Sequence, residues 1–297
     1  MAADTTTRPE TAGELLTLAV EDLVRRIHDR VPAALADEPD AVHGLRTSVR
    51  RLRNVLAAFR RYLDKDATAE LRSLLKEWGD VLGRARDLEV RAQQVAAAAD
   101  TAADAAADTA GLDEQARSAL LDPLLTAHEQ AHADVVRWTR SNRGRDLDRL
   151  LTEWAAEPRL GERASQPAKK AARRAVRRQA ERTLGSVGEL TDLASAHELR
   201  KAARRLRHTC EAITREPVGL LGRRTKDLGS AGHRIQSLLG DHRDALLLAE
   251  HVHAHAGGSE AYDAVVVGCH EQAVAALADL PAALGELETR APSPKER

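Results

Sequence analysis

The chain aligns with itself, and this constrains its fold more than any other feature. The segment AVHGLRTSVRRLRN, starting at Ala41, lies over SAHELRKAARRLRH, starting at Ser195. Identity falls at His43/His197, Leu45/Leu199, Arg46/Arg200, Arg50/Arg204, Arg51/Arg205, Leu52/Leu206 and Arg53/Arg207. A second match follows in the same order, VLGRARD ending at Asp87 over LLGDHRD ending at Asp244. It shares Leu82/Leu239, Gly83/Gly240, Arg86/Arg243 and Asp87/Asp244. Two matched blocks in one order identify a duplicated unit, so the fold must be one that a repeat can build.

The unit reads as helical. Aromatic residues make up 2% of the chain and charged residues 31%, with Ala, Leu, Arg and Glu abundant, which favours amphipathic helices over sheets. Apolar residues recur at helical spacing over 12–30, 40–63, 67–109, 113–156, 164–184, 192–214, 222–256 and 259–286. Prolines 32, 39, 123, 158, 167, 217 and 281 are expected to mark boundaries. The reading is all-α, with one four-helix repeat over 12–157 and a second over 164–286. Residues 1–11 and 287–297 are expected to be disordered ends, and the Ala-rich piece from Ala92 to Ala110 a weakly packed arm of the third helix.

The net charge of −1 hides strong segregation. From Ala41 to Arg61 there are six arginines and no acid. At about 100° per residue, His43, Arg46, Arg50 and Arg53 form one narrow stripe, opposed by Leu45, Val49, Leu52 and Leu56. His197, Arg200, Arg204 and Arg207 repeat it against Leu199, Ala203, Leu206 and Cys210, with Lys201 and Arg205 flanking. Like charges at this spacing oppose an isolated helix, so an anion is expected to relieve them. The plain alternative is a solvated face, or pairing with acids such as Asp80, Asp87 or Asp244. A third basic run, KKAARRAVRR, contains Lys169, Lys170, Arg173 and Arg177 and either extends the anion site or forms an ordinary helix surface. Guanidinium forks and ammonium groups both suit phosphate oxygens.

VHGLRTSVRRLR, AHELRKAARRLR and the two LGxxRD segments resemble the conserved histidine α-helical domain, the CHAD family, over residues ~12–286. The resemblance implies two four-helix bundles related by a pseudo-two-fold axis, with a shared basic cavity that accepts inorganic polyphosphate, and association with polyphosphate granules. By position, His43, Arg46, Arg50 and Arg53 would form one wall, and His197, Arg200, Lys201, Arg204 and Arg207 the other. Arg51 and Arg205 sit off the central stripe. Arg86 and Arg243 join the candidate set, although the adjoining Asp87 and Asp244 are expected to fix these arginines. The first block departs from the second at Thr47, where the second has Lys201. Some relatives carry a triphosphate-tunnel domain with an E-x-E-x-K signature; here the nearest string is Glu286-Leu-Glu288-Thr-Arg290, so that domain is not expected.

The resulting expectation is a binding protein, not an enzyme, without cofactor or metal. Competing readings are duplex nucleic-acid binding, since basic helices neutralise any phosphate backbone, and a zinc hydrolase through His128-Glu129-Gln130-Ala131-His132, an H-E-x-x-H string lacking an identifiable third ligand. A scaffold that recruits acidic proteins is a third. Single-strand stacking is disfavoured by the few aromatics. Two isolated cysteines, no leader-like N-terminus and no stretch of ~20 apolar residues lead to the expectation of a cytoplasmic protein that avoids membranes.

Overall fold

A computed structural model describes residues 8–105, 114–188, 193–255 and 260–292. Every regular element among them is helical: α1 (Ala12–Leu35), α2 (Ala41–Ala58), α3 (Lys65–Ala105), α4 (Glu114–Arg140), α5 (Asn142–Ala156), α6 (Ala168–Leu184), α7 (Leu193–Thr214), α8 (Arg223–His255), α9 (Glu260–Leu277) and α10 (Leu280–Arg290), with one 3-10 turn at Glu162–Ser165. At the start of α1, the Thr11 hydroxyl accepts the Glu14 N–H at 3.2 Å while the Glu14 carboxylate accepts the Glu10 N–H at 2.8 Å. The first bond satisfies a donor that a helix start leaves unpaired, and the second ties the residue before the cap to the first turn. Leu15, Leu16, Ala19, Val20, Leu23 and Ile27 then form the buried stripe of α1.

By order and by the two matched blocks, α1–α5 correspond to α6–α10. Among the described residues each repeat thus has five helices, not the expected four, because the last helix of each breaks. Residues 113–156 divide at Ser141, whose hydroxyl caps α5 by accepting the Gly144 N–H at 3.2 Å. A Cβ at Gly144 would lie 2.1 Å from the Thr139 carbonyl oxygen, so this corner requires glycine. Residues 259–286 divide before α10, where Pro281 occupies the first turn. Conversely, Pro32 and Pro123 fall inside α1 and α4 and do not end them.

One hydrophobic core runs through both halves. Leu45, Val49, Leu52 and Leu56 of α2 are fully buried, as are Leu199, Ala203 and Leu206 of α7, and all belong to the same cluster as α1, α6 and α10. Helices α2 and α7 pack on each other. At that seam the Asn54 side-chain amide meets His208 Nδ1 at 2.8 Å. In the repeat alignment Asn54 and His208 are the same position. A residue touches its own repeat mate where a two-fold axis passes close by.

The distal ends of α3/α4 and α8/α9 share a second cluster that includes Ala92, Val95, Leu124, Leu248, Val252 and Tyr262. The stretch from Ala92 to Ala98 of the Ala-rich arm is therefore packed, with Val95 1% exposed; residues 106–110 lie outside the described residues. Helix α10 continues beyond 286 to Arg290, and Leu287 is fully buried. At the other end, the Ala12 N–H bonds to the Gln166 carbonyl and the Ala168 N–H to the Glu10 carbonyl, both at 2.8 Å, tying the entry of α1 to that of α6. The remaining terminal residues, 1–7 and 293–297, lie outside the described residues. Among the described residues, no helix is long and apolar enough to cross a membrane.

Candidate functional site

The stripes of α2 and α7 meet because their apolar sides are used against α1, α3, α6 and α8, which leaves Arg46, Arg50, Arg200 and Arg204 together beside the α2–α7 seam. Burial and then the charges of Arg46, Arg204 and Arg200 push the pKa of Arg50 down to about 8. Burial, followed by Arg200 and Arg46, pushes Arg204 down to about 10. The Nε atoms of Arg200 and Arg204 are buried with no hydrogen-bond partner. The simple picture of a stripe projecting into solvent therefore needs correction: both Arg50 and Arg204 are only partly exposed.

Two carboxylates face this group. Asp87 holds Arg46 at 3.2 Å and partly offsets Arg50 and Arg200. Asp244 lies 3.4 Å from Arg243, and its own affinity for a proton is raised chiefly by burial, against the opposing pull of Arg200. Asp87 thus fixes Arg46 and not its neighbour Arg86, which is held by Asp40 at 3.0 Å and Glu89 at 2.9 Å. The glycines of the two LGxxRD segments have a related purpose. A Cβ at Gly83 would stand 3.4 Å from the Arg46 guanidinium, and one at Gly240 would stand 3.3 Å from that of Arg200. Leucine faces the core, glycine gives the opposing arginine a place to lie against the helix, and aspartate offsets its charge. The matched segments repeat this combination on α3 and α8.

His43 and His197 are exposed near the outer ends of the stripes. Burial of the ring and the charge of Arg86 lower the pKa of His43; burial and Lys201 lower that of His197. Lys201 is held by Glu198 at 2.6 Å.

Other candidates lie elsewhere. Arg51 and Arg207 converge on Glu211 at 3.0 and 2.9 Å, and Arg207 also contacts His233 at 3.0 Å, so these two arginines belong to an ion network on another side of α7. Arg53 has Asp80 as its main opposing charge, with Arg72 and Arg205 nearby. Lys169, Lys170, Arg173 and Arg177 line a separate groove formed with the start of α8 and the end of α10. In the H-E-x-x-H string, His128 Nε2 contacts Asp37 at 3.1 Å and His132 Nε2 contacts the Ala34 carbonyl at 2.9 Å, so both rings clamp α4 to the end of α1. Among the described residues, no group of three or more metal-ligating side chains occurs. The functional elements missed by residue-type reasoning are Gly83 and Gly240; their shared register in both LGxxRD blocks was the available signal.

The profile of the CHAD domain matches residues 18–253. The chain is 29% identical over 293 residues to an uncharacterized protein of Mycobacterium tuberculosis, Rv2226, covering 94% of this chain and 54% of that protein. It thus spans about half the length of that relative. Among solved structures, PptA from Streptomyces chartreusis superposes with a TM-score of 0.71 at 20% identity, covering 95% of this chain and all of that one. The CHAD domain from the plant Ricinus communis gives 0.69 at 21% identity, with 97% of each chain covered. At these identities the structural likeness concerns the fold alone.

Proposed function

The chain belongs to the CHAD domain family, and on that premise we propose that it binds inorganic polyphosphate between its two repeats and does so as a binding protein, not an enzyme. The family is linked to polyphosphate binding in general. The observation that carries the reading is the crowding of Arg46, Arg50, Arg200 and Arg204, with Asp87 and Asp244 as opposing charges. Gathering like charges at a helix seam costs stability, and a polyanion threaded among them repays that cost with charge-assisted hydrogen bonds. His43, His197, Arg86, Lys201 and Arg243 extend the track, and Arg53 and Arg205 lie beyond it. Location at polyphosphate granules in the cytoplasm is part of the same proposal.

A narrow, flexible strand suits guanidinium groups set between packed helices better than a rigid duplex does. Phe59, Tyr62, Trp78, Trp154 and Tyr262 are all buried, and Trp138 stacks on Trp78 at 5.9 Å, so the six aromatic residues offer no open stacking platform for bases. Titration with long-chain polyphosphate, duplex DNA and RNA at equal phosphate concentration tests the reading. Polyphosphate is expected to bind at least ~10-fold more tightly, a gap of about 1.4 kcal/mol; equal or tighter binding to a nucleic acid would overturn it.

The histidines give a pH signature. In the free protein both are harder to protonate than usual, and a phosphate chain alongside raises their affinity for protons. Binding therefore takes up protons, and affinity increases as pH falls from 8 to 6. Replacing His43 and His197 by glutamine is expected to weaken binding several-fold at pH 6 and little at pH 8. Equal losses at the two pH values would assign these rings a packing role.

A further inference from the structure

The groove between α6, the first turn of α8 and the end of α10 has a volume of about 1820 Å³, and none of its lining residues belongs to α2, α3 or α7. Eight cationic side chains line it against two carboxylates, Glu181 and Asp227. Those carboxylates engage Arg177 at 3.6 Å and Arg223 at 3.8 Å. Among the described residues, no carboxylate lies within ion-pair distance of Lys169, Lys170, Arg173, Arg174 or Arg224, while the protein as a whole has net charge −1.

The local sequence opposes helix formation electrostatically. Lys169 and Arg173, like Lys170 and Arg174, are like charges four residues apart on one helix. Helix starts favour acids, yet α6 and α8 have none in their first turns and carry Lys169, Lys170, Arg223 and Arg224 there instead. The α6 N-cap, Pro167, also makes no side-chain capping bond. Two positive helix ends and a set of unpaired cations converge on one open groove, which fits an extended anion with closely spaced charges.

Building on the proposed central site, we infer that this groove is a second, independent polyphosphate site, so that one molecule holds two strands and links them. The repeats do not duplicate it: the α1 counterpart of α6 carries Glu14, Glu21 and Asp22 among its first eleven residues. The protein is thereby two-sided toward the same polymer, and with long chains it forms a network.

The test compares the full chain with two variants, Arg173→Glu/Arg174→Glu/Arg224→Glu for the groove and Arg50→Met/Arg204→Met for the central site. The three groove positions are exposed, and circular dichroism checks that helix content is kept. Calorimetry with polyphosphate of narrow, medium length is expected to give about two equivalents for the parent and about one for either variant. Light scattering with long polyphosphate is expected to rise for the parent and stay at baseline for both variants. A groove variant that keeps the parent's stoichiometry and scattering overturns the inference while the central site stands. Loss of all binding in the Arg50/Arg204 variant also overturns it, since the groove would not act alone. If the parent does not bind polyphosphate at all, the reading of the central site fails with it.

Discussion

Exchanging Arg50 and Arg204 together for methionine should make the free protein more stable and its central site a much poorer binder. Methionine keeps most of the buried stem volume but removes two guanidinium groups whose charged state is disfavoured by burial and by each other's neighbourhood. Relief of like-charge repulsion on the order of 1–2 kcal/mol would raise the melting temperature by roughly 2–8 °C for a chain of this size. The same exchange deletes two charge-assisted hydrogen-bonding groups, each worth about 1.5–3 kcal/mol, so affinity of the central site for long polyphosphate, read in a protein that also carries the three groove exchanges, should drop at least ~100-fold. Melting curves with and without ligand, beside a binding titration, separate the two effects. A drop in both stability and affinity would show that the arginines hold the seam together and do not await an anion.

The second large effect is that of salt. If about six phosphates of a single strand are neutralised, log K should fall with log salt at a slope near −4, so raising salt from about 50 to 200 mM should weaken binding a few hundredfold. The slope counts phosphates engaged, and in the groove-variant background, where only the central site is read, exchange of Arg50 and Arg204 should therefore make it visibly shallower. An unchanged slope in that variant would place the neutralised phosphates elsewhere on the molecule. Two salt series on the same calorimeter or fluorescence assay suffice.

Much of this arrangement was legible from residue order alone. Leu45, Val49, Leu52 and Leu56 recur at helical spacing and are all buried, and the twin blocks placed α2 against α7 in role before any contact was known. What periodicity does not encode is the partner of each charge. Arg51 and Arg50 are neighbours in sequence, yet one pairs with Glu211 from the other repeat while the other faces arginines. Asp87 adjoins Arg86 but holds Arg46, because the side chain leaving α3 toward α2 meets that arginine first. Nor does a helical pattern reveal its own breaks: the apolar spacing continues across Ser141, and only the contact of Gly144 with the Thr139 carbonyl explains the corner. The packing of Ala92, Val95 and Ala98 is not legible from the arm itself because part of their cover, from α8 and α9, comes from the far half of the chain. Lys169, Lys170, Arg173 and Arg177 were recognisable as basic, while their distance from the central track depended on how α6, α8 and α10 assemble.

The contact between Asn54 and His208 also bears on symmetry. In an assembly of two identical chains, whatever stands on the symmetry axis must face its own copy, and a side chain is rarely the ideal partner for itself. Within one polypeptide that restriction does not apply. One repeat presents an amide that donates, the other a ring whose buried surroundings and flanking arginines hold it neutral and accepting. A single polypeptide thus lets the two faces of an interface differ at its centre, while the arginines on either side, Arg46/Arg200 and Arg50/Arg204, are the same in both repeats.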